Sequence, residues 1–281
     1  MNTAANVSLP KPPFEPVFLG VSYLVMCFVF LPLYSMVIWI LSTKKCYEGS
    51  IFYRIVKNMA VANVMSLLST FMSGIFELCQ TTFSDYISIT SGSLSSWFMV
   101  ACCLLNILLV INRFSAVFGF HISFENDIHH YVIFLMWYAL AVLLIMTSYL
   151  KLEFDYNLEN HWFEEPTEFL AKPVLYARHV AMVIYVIVVI KYVFTNQSRN
   201  NATALDLFQC LALLIPFEVD SLLVGLLKHN ENAPRWAGVA LVFLHRLLPA
   251  VVIPSVLPLD RSLRQDLMAL PQKMKNRIMP L

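Results

Sequence analysis

Residues 101–118 read ACCLLNILLVINRFSAVF, and the reading of this run decides the fold. No charge occurs from Ala101 to Asn112, and then Arg113 and Phe114 follow. An uncharged run ending in arginine fits a helix in hydrocarbon, because the guanidinium is costly to bury and snorkels to the headgroups. Taken alone, Arg113 is a charge that stops the helix at the interface. Its place among the other apolar segments gives it a second meaning.

Seven such segments lie along the chain, at 17–41, 55–79, 92–116, 131–150, 174–194, 205–227 and 236–259. Each is near the ~20 residues that span ~30 Å of hydrocarbon as a helix. Bulk composition agrees. The 281 residues are 59% hydrophobic and 13% charged, with mean hydropathy +0.68, whereas soluble domains carry about a quarter charged residues. The expected fold is an all-α membrane protein, a seven-transmembrane helix bundle over 17–259. Residues 1–16 form an outer tail, and 260–281 form a short amphipathic helix that Pro271 ends, followed by a basic tail.

Lysine and arginine in the loops set the orientation. With the N-terminus extracellular, the inner side collects Lys44, Lys45, Arg54, Lys57, Arg113, Lys191, Arg199 and the basic residues after Asp260. The outer side keeps Lys11, Lys151, Lys172, Lys228 and Arg235. The C-terminus is then cytoplasmic. The outer loop 151–173 is acidic and aromatic, the composition of a lid or of a solvated loop.

Enzyme chemistry has little support. The chain has seven glycines and no phosphate-binding loop, and His129-His130 lack metal-ligand spacing. A net charge of +1 gives no sign of nucleic-acid binding. No cofactor and no metal are expected. The six cysteines lie in or beside apolar segments, as small buried hydrophobes do.

Several short stretches carry a resemblance. Pro32-Leu33-Tyr34 lies in the first segment, and Ser50-Ile51-Phe52-Tyr53-Arg54 opens the second. Ile111-Asn112-Arg113-Phe114-Ser115-Ala116-Val117-Phe118 ends the third, and Pro254 leads through Leu257 to Asp260-Arg261-Ser262-Leu263-Arg264. Together these resemble the nematode serpentine chemoreceptors of the G-protein-coupled receptor superfamily, the Srg-type class or a close relative. Asn58-Met59-Ala60-Val61-Ala62-Asn63, Trp137 and Pro216 resemble rhodopsin-like positions on the second, fourth and sixth helices. Asn112 departs from that pattern by replacing the acid that precedes the arginine, and the 151–173 loop has no cysteine.

The resemblance implies a receptor on the plasma membrane, in a sensory cilium for a chemosensory cell. Its partners are a small-molecule ligand, the lipid bilayer and a heterotrimeric G protein, which meets Asn112, Arg113 and Phe114. Pro216 is the expected hinge. A solute transporter and a non-signalling assembly subunit are the alternative readings.

Ionisable residues inside spans usually pair and mark function. At ~1.5 Å per residue, Glu218 and Arg246 sit ~14 and ~15 Å below their outer helix ends, and Asp220 and Arg178 ~10 and ~6 Å below theirs. A Glu218–Arg246 ion pair is expected. Glu77, His245, Trp97, Met99, Tyr176, His179 and Tyr185 are expected to complete an outer pocket or simply to share burial.

Three glycosylation sequons test the orientation: Asn6-Val7-Ser8, Asn196-Gln197-Ser198 and Asn201-Ala202-Thr203. In membranes competent for glycosylation, Asn6→Gln is expected to abolish the glycan shift on a gel. An Asn196→Gln/Asn201→Gln double variant should migrate as the parent. A glycan at Asn196 or Asn201 would invert the topology.

Overall fold

The computed structural model describes residues 14–118, 126–150, 156–157, 162–163, 168–194, 201–228, 234–254, 257 and 260–278. Asn6, Asn196 and most of the 151–173 loop lie outside them. The elements are α1 (Phe14–Thr43), a single turn α2 (Lys45–Glu48), α3 (Ile51–Cys79), α4 (Asp85–Phe118) and α5 (Asn126–Leu150). A short ribbon of β1 (Tyr156–Asn157) and β2 (Trp162–Phe163) follows. The chain then forms α6 (Glu168–Phe194), α7 (Asn201–Lys228), α8 (Arg235–Val251) and α9 (Arg261–Ile278).

Six of the seven apolar segments fall within one long helix each, and α8 covers the seventh, 236–259, only as far as Val251. By length and composition α1, α3, α4 and residues 130–147 of α5 can cross a membrane, and α6 and α8 hold shorter apolar stretches, His179–Phe194 and Trp236–Val251. Charge dilutes the later helices: Glu218 and Asp220 interrupt α7, and Arg246 interrupts α8. Helix α4 is the centre of the bundle, touching α3, α5, α6 and α7, while α1 packs on α3, α8 and α9. The ribbon pairs antiparallel, Tyr156 with Phe163 and Asn157 with Trp162, and touches α4.

Three boundaries differ from expectation, each for a local reason. Helix α4 begins at Asp85, seven residues before the expected start at 92, and runs through the Ser/Thr/Gly-rich stretch. There the stretch packs inside the bundle: Ser69 Oγ of α3 donates to the Ser91 carbonyl at 2.7 Å, and Ser88, Ser91 and Ser93 are buried. Helix α8 stops at Val251, not 259. In a continuing helix the Ile253 amide would donate to the Pro249 carbonyl. Instead the Tyr34 hydroxyl lies between them, donating to the Pro249 carbonyl and accepting from Ile253 N at 3.2 Å. Helix α9 continues through Pro271 to Ile278, giving up the one ladder bond that a proline nitrogen cannot make.

Helices α1 and α3 meet through glycine. A Cβ built on Gly20 would lie 2.9 Å from the Gly74 carbonyl oxygen and 2.7 Å from Leu78 Cγ, and one on Gly74 would lie 3.1 Å from the Gly20 carbonyl oxygen. Small residues at such crossings let helix backbones approach in lipid, where dispersion and hydrogen bonds hold helices together. Gly20→Ala is therefore expected to cost about 1–3 kcal/mol by overpacking. The check is a lower midpoint in thermal unfolding of the solubilised protein. Gly49→Ala is the control, because no atom lies within 4 Å of a Cβ there.

Candidate functional site

Two polar regions stand out, one midway along the bundle and one at the end that carries Arg113. The first is built by α4, α6, α7 and α8. Residues 218 and 220 of α7 project about 200° apart, at about 100° per residue. Glu218 consequently faces α6 and Asp220 faces α8. Glu218 Oε2 lies 2.9 Å from His179 Nδ1, and Asp220 Oδ1 and Oδ2 lie 3.0 and 3.1 Å from His245 Nδ1. Arg246, the next residue on α8, turns to α4, where Nη1 donates to Ser95 Oγ at 2.9 Å.

The expected Glu218–Arg246 pair is thus replaced by two histidine–carboxylate pairs. The two residues turn to different neighbours, Glu218 to α6 and Arg246 to α4. Asp220 is 6% exposed and Arg246 4%, so both charges are held inside protein, as membrane depth requires. Glu77 is fully buried on α3.

Two narrow spaces adjoin these groups. A closed crevice is lined by Ser66, Thr70, Ser95, Met99, His245 and Arg246. The other, of about 10 Å³, lies among α4, α6 and α7 and includes Asn106, Phe217 and Glu218 in its walls. Trp97 is buried nearby on α4. Tyr176 is exposed, and the Arg178 side chain is outside the described residues.

Tyr185 belongs to the other region. Its hydroxyl donates to the Leu207 carbonyl of α7. Arg113 is among the charges near it. Arg113 itself lies with its guanidinium 5.1 Å from the Phe52 ring centre. Phe114 stacks on Phe118 at 4.4 Å, and Lys191 of α6 sits 5.9 Å from the Phe118 ring. Asn112 is half-buried beside them.

From Phe52 the aromatic contacts continue. Phe52 meets Tyr53 at 5.2 Å and Tyr53 meets Tyr47 at 4.6 Å, both edge-on. The two tyrosines hold α9: Tyr53 donates to Asp260 Oδ2 at 2.7 Å and Tyr47 to Asp266 Oδ2 at 2.9 Å. Lys44 pairs with Asp266 as well. Asp260 Oδ1 accepts from Leu263 N at 2.9 Å, capping α9. Burial, then the bond to Asp266, raises the Tyr47 phenol above the ordinary tyrosine range, so it remains a donor at physiological pH.

The stretches that looked alike in the sequence are therefore in contact or in series. Tyr34 reaches Pro249 and Ile253, Tyr53 reaches Asp260, and Arg113 reaches Phe52. Trp137 Nε1 donates to Asn58 Oδ1 at 2.8 Å, joining α5 to α3. Sequence reasoning did not single out Asn106, or Tyr47 with Asp266; Asn106, an uncharged polar residue in the middle of an apolar run, was the available signal.

No curated protein matches the chain. The profile of the family described as serpentine type 7TM GPCR chemoreceptor Srt matches residues 8–215, from α1 into α7 and including Arg113. This is a nematode chemoreceptor family, of Srt type where the motifs pointed to Srg or a relative. The chain belongs to the serpentine 7TM GPCR chemoreceptors of the Srt family, and is a multi-pass membrane protein.

Proposed function

We propose that this chain is a plasma-membrane chemosensory receptor that crosses the bilayer seven times, with its N-terminus outside and C-terminus inside. A small ligand enters the half of the bundle that holds Glu218, Asp220, His245 and Arg246. Binding there biases two packings of α7, with Pro216 as the hinge because its missing N–H weakens the helix ladder. Movement of the part of α7 before Pro216 opens a groove beside Arg113, where a heterotrimeric G protein docks.

The setting of Arg113 carries this reading. It ends the helix on which the others pack, it lies over Phe52, and it neighbours Tyr185, whose hydroxyl is hydrogen-bonded to α7. A displacement of α7 therefore changes the surroundings of the arginine at that helix end.

In vesicles carrying the receptor and a heterotrimeric G protein, Arg113→Ala is expected to lower receptor-dependent nucleotide exchange about tenfold or more, the effect of losing ~1.4 kcal/mol of contact. Arg113→Lys should keep part of it, since charge survives but the planar fork does not. Undiminished exchange in Arg113→Ala, together with solute flux that Glu218→Gln abolishes, would replace the receptor reading with a carrier.

A further inference from the structure

Asn106 lies in the interior of α4, 96% buried by its 4% exposure, and its Oδ1 has no hydrogen-bond partner among the described residues. A buried oxygen of this kind normally finds a donor, and the shortage is more costly where neighbouring side chains are apolar. Asn106 lines the space of about 10 Å³ between α4, α6 and α7. Glu218, on another wall of that space, has Oε2 engaged by His179, and its other oxygen has no hydrogen-bond partner among the described residues.

Two acceptors thus border one small space. The charged and titratable groups facing it can be named element by element. Helix α7 contributes the Glu218 carboxylate, α6 contributes His179 through its bond to Glu218, and the α4 wall of Cys103, Asn106 and Ile107 carries no formal charge. Among the described residues no lysine or arginine lines this space, so the Glu218 carboxylate shares it only with the His179 ring, and in low dielectric a carboxylate prefers a cation to a neutral donor. The remaining walls, Ile107, Leu214 and Phe217, are apolar and aromatic, and an aromatic face also favours a cation.

We infer that this space is a subsite for the protonated primary amine of a small ligand. Its N–H groups donate to Asn106 Oδ1 and to the free oxygen of Glu218, and its alkyl stem lies against Leu214 and Phe217. The volume is about that of one water-sized sphere, so an –NH₃⁺ head fits and a trimethylated head does not. The inference rests on the receptor reading only in treating the site as one a ligand reaches.

The probe is n-butylamine, which is protonated at pH 7 as lysine is, compared with n-butanol and butyltrimethylammonium. The readout is the thermal midpoint of the purified full chain in detergent. Butylamine at saturating concentration is expected to raise the midpoint by about 2–4 °C, a ligand that binds only the folded state giving such a shift. Butanol and butyltrimethylammonium should leave it unmoved. Glu218→Gln and Asn106→Leu should abolish the butylamine shift, and Asn106→Asp, which keeps the shape and adds charge, should enlarge it. Equal shifts from butanol, a shift that survives Glu218→Gln in folded protein, or no shift in the parent chain would overturn the subsite. No G protein enters this measurement, so its failure leaves coupling through Arg113 standing, and failed coupling leaves the amine site standing.

Discussion

The hydroxyl of Tyr34 is the contact on which the bundle's closure depends. Helix α8 loses a ladder donor at Pro249, and its final turn would expose backbone groups in a medium that supplies no hydrogen bonds. Tyr34, with no exposed surface, satisfies the Pro249 carbonyl and the Ile253 amide together. An unsatisfied backbone group there would cost several kcal/mol. The same contact joins α1 to α8 across 215 positions of sequence.

A second tyrosine also reaches a neighbouring helix's backbone. The Tyr185 hydroxyl of α6 donates to the Leu207 carbonyl of α7. Further along α7, Pro216 removes a ladder donor and leaves a weak region. Beyond it the polar residues diverge: Glu218 is bound to α6 and Asp220 to α8. Helix α7 is held on both sides beyond its weak region, and by Tyr185 before it. A ligand that altered the Glu218 contact would act on the anchored side of that weak region.

The helices were legible because hydrophobic length is a strong signal, and each expected segment has its long helix, the seventh ending early at Val251. What could not be read was helical phase. Depth along an axis follows from counting residues, and counting brought Glu218 level with Arg246. Which face a residue presents depends on where the neighbours stand, so the partners proved to be His179 and Ser95. Tyr185 was displaced for a related reason: it is an aromatic residue in an apolar helix, and sequence does not say which end of the neighbouring helix it meets. Backbone insertion by a hydroxyl leaves no pattern in sequence at all. Tyr34 could be noticed only as part of a familiar stretch, without a reason.

Replacing an acid by Asn112 changes what restrains the neighbouring arginine. A carboxylate would hold it by a charge-assisted, directional bond. The contact with Phe52 depends on the ring quadrupole and is worth about 0.5–2 kcal/mol according to its desolvation. Such a contact keeps the guanidinium near the end of α4 while allowing it to slide across the ring face. Phe52 is in turn linked edge to face through Tyr53 and Tyr47 to the two carboxylates of α9. Charge on α9 therefore reaches Arg113 by packing rather than by field. The position of α9, set by the Asp260 cap and the Asp266 contacts, is one of the terms that fix how firmly Arg113 is held.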